Sequence, residues 1–306
     1  MDYSIVIANW NGEAFIARAC ASLEAAMRSA TGEGEVLVVD DASEDDSPGI
    51  VERRFSGFRL LRNQRNAGFA ATVNRGLEEA RGERVILLNN DIVVRADFVS
   101  NVLAPFAAPG ADDLFAVTAK TLQWTTGEAN HACMNGHWRR GWIDLEWSQP
   151  AKISPSLFIQ AGACALRRAW ALDLGGLREL YRPGYWEDYD LSYRAARRGW
   201  RSLYHPAAVA YHLGKASLER RYGADGVRAL RLRNEMLFYW SNLDDASLIA
   251  GHAFGLVRRI TRDLARGDFG SFKAALKALG RLAEVLRARH HPSRSHLTTG
   301  DRNLLE

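Results

Sequence analysis

The sequence predicts an α/β fold: a mostly parallel sheet covered by helices on both faces, followed by a helical C-terminal region. Three observations carry this. Short runs that are apolar on both faces alternate with helical patterns in the first half of the chain. The runs end on amides and carboxylates, which marks one polar sheet edge. From Leu218 onward the pattern is helical and basic.

The elements follow in order. Ser4-Ile5-Val6-Ile7-Ala8 has β-branched strand character and ends in Asn9-Trp10-Asn11-Gly12. Phe15, Ala19, Leu23 and Met27 then fall on one helix face. A second run, Glu35 to Val39, closes on Asp40-Asp41. A third, Phe58 to Leu61, leads to Asn66-Ala67-Gly68-Phe69 and a helix to about Arg81. The fourth, Arg84 to Leu88, stops at Asn89-Asn90-Asp91. Residues from about Thr118 to Gln160 hold Trp124, Trp138, Trp142 and Trp147 with His131 and His137, with little periodicity. They read as strands and loops over the sheet edge. Gln160 to Arg168 reads as a buried strand followed by a helix. Trp186-Glu187-Asp188-Tyr189-Asp190-Leu191 opens a helix ending near Gly199, and a strand from Arg201 to Tyr204 leads to Tyr211-His212. The tail after His291 is expected to be polar and loose.

Composition bounds the function. A chain of 306 residues with 47% hydrophobic and 25% charged residues is globular and long enough to fold without disulfides or structural zinc. Cys20, Cys133 and Cys164 are too few and too far apart for a disulfide framework, which points to a reducing compartment. A net charge of +4 is too mild to imply nucleic acid. The N-terminus lacks the basic and apolar regions of a targeting segment, and no run is long enough to span a membrane. A cytoplasmic location is expected.

No GxxxxGK[ST] loop exists and no GxGxxG follows the first strand, so the P-loop and dinucleotide readings fail. What remains is acidic: Asp41, Asp91 and Asp188, with His212. Hard carboxylate oxygens suit Mg²⁺ or Mn²⁺, which in turn suit a diphosphate; an imidazole tilts the choice toward Mn²⁺.

Five segments in order, Ile5 to Gly12, Val39 to Ser43, Asn66 to Ala70, Leu87 to Asp91 and Trp186 to Leu191, resemble the motif series of family-2 glycosyltransferases with a Rossmann-like GT-A fold. The variant is similar to bacterial rhamnosyltransferase-like members. The resemblance covers about residues 3–240. It implies a core over 1–215, with a nucleotide-sugar half to about 118 and an acceptor half from about 119, and a helical region over 216–306. It implies an inverting, metal-dependent transfer from a UDP- or dTDP-sugar to a glycan or lipid-linked glycan in cell-surface polysaccharide or glycolipid synthesis.

Roles come with the resemblance. Asp41, beside the Ala8 backbone, is expected at the pyrimidine edge. Asn9, Asp40, Asn66, Gly68, Asn89 and Asn90 are expected along the nucleotide-sugar; Gly162, read from its own residue type, is expected to permit close backbone packing beside the donor. Asp91 would touch the metal, with His212 completing its site. The family's acidic motif is reduced here to one carboxylate, since Asn89 and Asn90 are amides. Asp188 is the expected catalytic base, with Glu187 and Trp186 positioning it or meeting the acceptor.

Structural readings stand beside these. Asp40-Asp41 would also suit a turn or helix cap. Asp188 would also suit a helix start on dipole grounds. Asp190 and Arg194, spaced i, i+4, read as a structural pair. Trp186 either packs in the core or stacks on a sugar. Between Arg258 and Arg294 ten Lys/Arg face only Asp263, Asp268 and Glu284; this region either packs on the core, forms a homodimer or lies on a membrane surface. Two rival functions remain: a sugar-nucleotide nucleotidyltransferase, which would need a basic glycine-rich loop after the first strand, and a non-catalytic nucleotide-sugar or glycan-binding protein.

Overall fold

A computed structural model describes residues 1–214, 217–294 and 296–306. The expected boundary at 215/216 and the side chain of His131 lie outside the described residues.

The chain runs β1 (Tyr3–Asn9), α1 (Ile16–Arg28), β2 (Gly34–Asp40), α2 (Ser47–Arg54), β3 (Arg59–Arg62), α3 (Phe69–Glu79) and β4 (Arg84–Asn89). These four strands lie parallel in the order 3-2-1-4. The chain winds outward from β1 to β3 and returns to β1's other side at β4. The crevice beyond β1 and β4 is therefore a topological switch point, where open α/β sheets bind ligands.

Next come β5 (Ile92–Val94), α4 (Phe98–Leu103), β6 (Leu114–Gln123), β7 (Ala129–His131), β8 (Cys133–Arg139), β9 (Trp142–Ser148), β10 (Ser154–Pro155), β11 (Ala163–Arg167), α5 (Arg168–Asp173), α6 (Glu187–Arg197) and β12 (Arg201–His212). β11 inserts antiparallel between β4 and β6, and β12 lies parallel to β6. Strand residues alternate between two cores. Ile5, Ile7 and Val38 pack with Ile16, Leu23 and Phe98 on the face of α1, α2 and α4. Val6, Leu37 and Leu87 pack with Val73, Leu77 and Leu191 on the face of α3, α5 and α6. Helices on both faces make these strands apolar throughout, as the sequence predicts.

Three expectations need correction. Thr118 to Gln123 is not at the sheet edge but in β6, between β11 and β12. The tryptophan-rich segment after it forms a separate hairpin, β8–β9, held to the C-terminal helices where the Ile143 amide donates to Tyr239 Oη at 2.7 Å. The strand read over Arg201 to Tyr204 continues to His212 as β12, with a register shift between His205 and Val209.

The remaining helices are α7 (Ser217–Asn242, broken at Gly223), α8 (Ala246–Leu264), α9 (Gly270–Leu279), α10 (Leu282–Arg289) and α11 (Asp301–Leu305). They build a third core with the hairpin, around Phe238, Tyr239, Leu248 and Ala278. The loose tail is the third correction. Asp301 is buried and accepts from Tyr193 Oη at 2.6 Å, from the Asp244 and Asp245 amides at 2.6 and 2.8 Å, and from Arg197. A buried carboxylate with four donors ties the tail to α6, which polar composition does not reveal.

Asp301→Ala leaves the Arg197 guanidinium buried without this partner. Losing one member of a buried pair costs up to about 3–5 kcal/mol, less here because Arg197 keeps Asp244 Oδ2 at 3.1 Å. Urea denaturation is expected to show a midpoint well below that of the wild type; an unchanged midpoint would mean the tail contributes nothing.

Candidate active site

The polar sheet edge forms one cleft of about 1640 Å³. Ala8, Asn9, Asp41, Asn66, Gly68 and Asn89 line one side of the predicted set. Asn90, Asp91, Gly162, Trp186, Glu187, Asp188 and His212 complete it. Among the predicted site residues only Asp40 is absent from the cleft wall.

Asp40 instead supports the wall. Its Oδ1 accepts from Asn9 Nδ2 at 2.8 Å and from Ser43 Oγ at 2.6 Å. Asn9 Oδ1 accepts from Asn90 Nδ2 at 2.9 Å. The three side chains form a rack across β2, β1 and β4, and both Asn9 and Asp40 are buried. Gly12 leaves room for it, since a Cβ there would overlap Asn9 Oδ1 and Asn90 Nδ2. Asp41 pins the following loop: it accepts from Asn63 Nδ2 and the Ala67 amide at 2.7 Å, and from the Gly68 amide at 2.8 Å. Asn66 Nδ2 bonds the Asp41 carbonyl at 3.3 Å. Gly162 lets the Asn89 side chain approach, because a Cβ would sit 2.8 Å from its Nδ2. Asn89 Oδ1 is buried with no hydrogen-bond partner, an acceptor aimed at whatever fills the cleft.

Antiparallel pairing of β5 with β12 sets Ile92 opposite His212. The Leu213 amide donates to the Asp91 carbonyl at 2.8 Å. The result places His212 Nε2 3.2 Å from Asp91 Oδ2. His212 Nδ1 is buried without a partner. Among the described residues no group of three or more His, Cys, Asp and Glu side chains converges. Asp91 and His212 therefore offer one carboxylate and one imidazole on the cleft, a donor set that fits Mn²⁺ or Mg²⁺ only if other ligands complete the shell.

Glu187 and Asp188 open α6, where helix N–H groups favour carboxylates. Asp188 takes backbone hydrogen bonds from Tyr189, at 2.9 Å, and from Ala161. Burial still raises its pKa above the usual carboxylate range. Glu187 is raised too, first by burial and then by the Asp188 charge; its Oε2 has no partner. Tyr185 and Trp186, just before them, have φ of 74° and 78°, left-handed values that strain bulky residues. Asn234 of α7 holds this loop, donating from Nδ2 to the Tyr181, Gly184 and Tyr185 carbonyls at 2.7, 2.8 and 2.9 Å. Trp186 is buried against Tyr189, Phe238 and Tyr239, so the core role holds for most of its ring.

The motif series does not reveal the wall supplied by the C-terminal helices. Arg228, Arg231 and Glu235 of α7, Arg259 and Arg262 of α8, and Arg266 just after it, line the cleft. Each trio is spaced i, i+3, i+7, a one-face signal present in the sequence. Arg231 lies 4.5 Å from the Tyr185 ring. Burial pushes the Glu235 carboxyl up to about 7.

The sequence model of glycosyl transferase family 2 matches residues 4–174. The chain belongs to this family, and its fold is that of GT-A glycosyltransferases. It is 28% identical over 203 residues to N-acetylglucosaminyl-diphospho-decaprenol L-rhamnosyltransferase of Mycobacterium tuberculosis, covering 58% of this chain and 66% of that one. Among solved structures it is similar to S. aureus TarS 1-349 in complex with UDP-GlcNAc, with a TM-score of 0.58 and 17% identity over 97% of this chain and 84% of that one. It is also similar to the mannosyltransferase PcManGT of Pyrobaculum calidifontis in complex with GDP-Man and Mn²⁺, with a TM-score of 0.53 and 17% identity over 96% and 82%. The chain spans between 22% and 66% of the first three curated relatives it matches.

Because Glu187 has a raised pKa, folding favours its protonated form. Its contribution to stability is full below the ordinary carboxyl range and is lost as pH rises through the raised value. Glu187→Gln is therefore expected to melt above the wild type at about pH 8, with the gap closing near about pH 4. Thermal unfolding at both values measures it; equal melting at the higher pH would mean Glu187 carries no such strain.

Proposed function

We propose that the protein is an inverting glycosyltransferase that moves a sugar, rhamnose by resemblance, from a UDP- or dTDP-sugar to an acceptor hydroxyl. The acceptor is a glycan or lipid-linked glycan of bacterial cell-surface polysaccharide or glycolipid synthesis. The single observation that carries this is the meeting of Asp188, Asp91 and His212 on one cleft at the switch point of the sheet.

A hydroxyl is a poor nucleophile, and a carboxylate beside it takes its proton as the bond to the anomeric carbon forms. Asp188 suits that role because backbone donors fix it, and its raised pKa stays low enough for ionisation near neutrality. Glu187, raised further by the Asp188 charge, holds a proton there and spares the site a second charge. One base with no protein nucleophile gives inversion. On the other side the diphosphate leaves. Asp91 and His212 would hold the divalent ion, which when bound offsets the charge growing on the leaving group. Asn89 Oδ1 accepts from a donor hydroxyl or ring N–H. Asp41 keeps the Asn66–Gly68 loop against the nucleotide and retains one free lone pair on Oδ2 for a ring N–H. Arg231 and Glu235, on the α7 wall of the cleft, would meet the acceptor.

Asp188→Asn keeps the shape and removes the base, so kcat is expected to fall about 10²–10⁴-fold while donor binding persists. The wild-type rate should decline below about pH 6 as Asp188 gains its proton. Transfer at near wild-type rate by Asp188→Asn, with Glu187→Gln inactive, would move the base to Glu187.

Asp91→Ala is expected to abolish the Mn²⁺-dependent part of donor binding, followed by calorimetry with and without the ion. Identical binding curves for variant and wild type would remove Asp91 from the metal site.

A further inference from the structure

We infer that the outer face of α8, α9 and α10 is a docking surface for an anionic lipid bilayer. Large apolar side chains concentrate there: Phe254 is 73% exposed, Val257 61% and Phe269 53%, followed by Phe272, Leu276 and Leu279. The opposite faces of the same helices are spent on the core. Leu248, His252 and Gly255 of α8, and Ala274, Ala275 and Ala278 of α9, are buried. Phe272, Leu276 and Leu279 repeat at i, i+4, i+7, and Leu282 and Leu286 are exposed on α10. An apolar row of this length on a water-facing surface marks a binding face.

Charge selects the occupant. Arg258, Lys273, Lys277 and Arg287 flank the row, and their side chains make no ion pair among the described residues. The acids nearby are already paired: Asp263 with Arg259 and Arg262, Asp268 with Arg228, and Glu284 with Arg281. In a two-fold dimer through this face the unpaired cations would meet their own copies, a like-charge contact that opposes association. Anionic headgroups satisfy them while the acyl boundary takes the apolar row. No helix among the described residues is long and apolar enough to cross a membrane, so the face lies on the bilayer rather than in it.

The same segment reaches the cleft. Arg262 near the end of α8, Arg266 in the turn after it and Gly270 at the start of α9 belong to its wall. Seating the outer face on lipid sets this basic wall next to the membrane, where a lipid-linked acceptor with its phosphates is presented. This consequence for the acceptor rests on the transferase reading; the lipid contact itself does not.

Co-sedimentation of the full chain with vesicles tests the contact without donor or acceptor, so its outcome stands apart from any failure of the transfer assay. The wild type is expected to bind phosphatidylcholine vesicles containing phosphatidylglycerol, and to lose binding in high salt or on phosphatidylcholine alone. Lys273→Glu with Lys277→Glu should weaken binding by about tenfold or more. Leu276→Ser with Leu279→Ser should do likewise, with an unchanged melting temperature because both residues are exposed. Wild-type binding by both variants would overturn the proposal. So would a wild-type dimer in light scattering that Leu276→Ser with Leu279→Ser dissociates, with no vesicle binding by either protein.

Discussion

The cleft depends on one buried carboxylate. Asp190 has no exposed surface, and burial alone would push its carboxyl up; Arg178 and Arg194 hold it below the ordinary range instead. It accepts from Arg194 at 2.7 Å, Arg178 at 3.0 Å, Tyr181 Oη at 2.8 Å and Asn242 Nδ2 at 2.7 Å. These donors come from α6 itself, from the loop before it and from the end of α7. An uncompensated charge here would cost several kcal/mol, so the four cannot separate independently. Asp188 stands two residues earlier on the same first turn. The position of the proposed base is thus set by a contact that never touches solvent.

Other contacts from α7 explain why a strained loop survives next to it. Two successive bulky residues in the left-handed region cost about 1–3 kcal/mol each. Asn234, two helical turns before Asn242 on α7, grips three carbonyls of the loop, and the Trp186 ring is packed among Tyr189, Phe238 and Tyr239. The C-terminal helices are therefore part of the cleft's construction. The linear division into a core and a helical region understates this, because the partners lie about 50 residues apart along the chain.

What the sequence made legible follows from local rules. Strands buried on both faces have a compositional mark, and so do their polar ends, so the sheet and its cleft edge were readable that way; the Asp190–Arg194 pair followed from its i, i+4 spacing, and His212 beside Asp91 came only with the family resemblance. What stayed hidden was the target of each polar side chain. Asp40 and Asp41 are adjacent and alike in sequence, yet strand alternation turns one into the rack with Asn9 and the other onto the loop at 63–68. Asp301 sits in a polar tail and becomes a buried acceptor only because Tyr193, Arg197 and the α7–α8 turn converge on it. Insertion of β11 between β4 and β6 is a long-range pairing that no local run encodes.

The rack also accounts for the amide at position 90, where the resemblance expects part of an acidic motif. Asp40 is only an acceptor, so Asn9 must turn its Nδ2 toward it. That choice leaves Asn9 Oδ1 facing β4, and the residue there must be a donor. Asn90 supplies one at 2.9 Å. A carboxylate at 90 would set acceptor against acceptor in a buried polar chain already holding the Asp40 charge, and would lose the bond as well as add repulsion. With position 90 committed, Asp91 is the one acid left at the end of this strand, and the imidazole of His212 is the neighbour that β5–β12 pairing brings to it. A carboxylate with an imidazole is a sparse ligand set for a hard ion. At the proposed metal site, tight binding of an ion would need further oxygens from the donor diphosphate, which would couple ion and donor binding: each would raise the affinity for the other by the same factor.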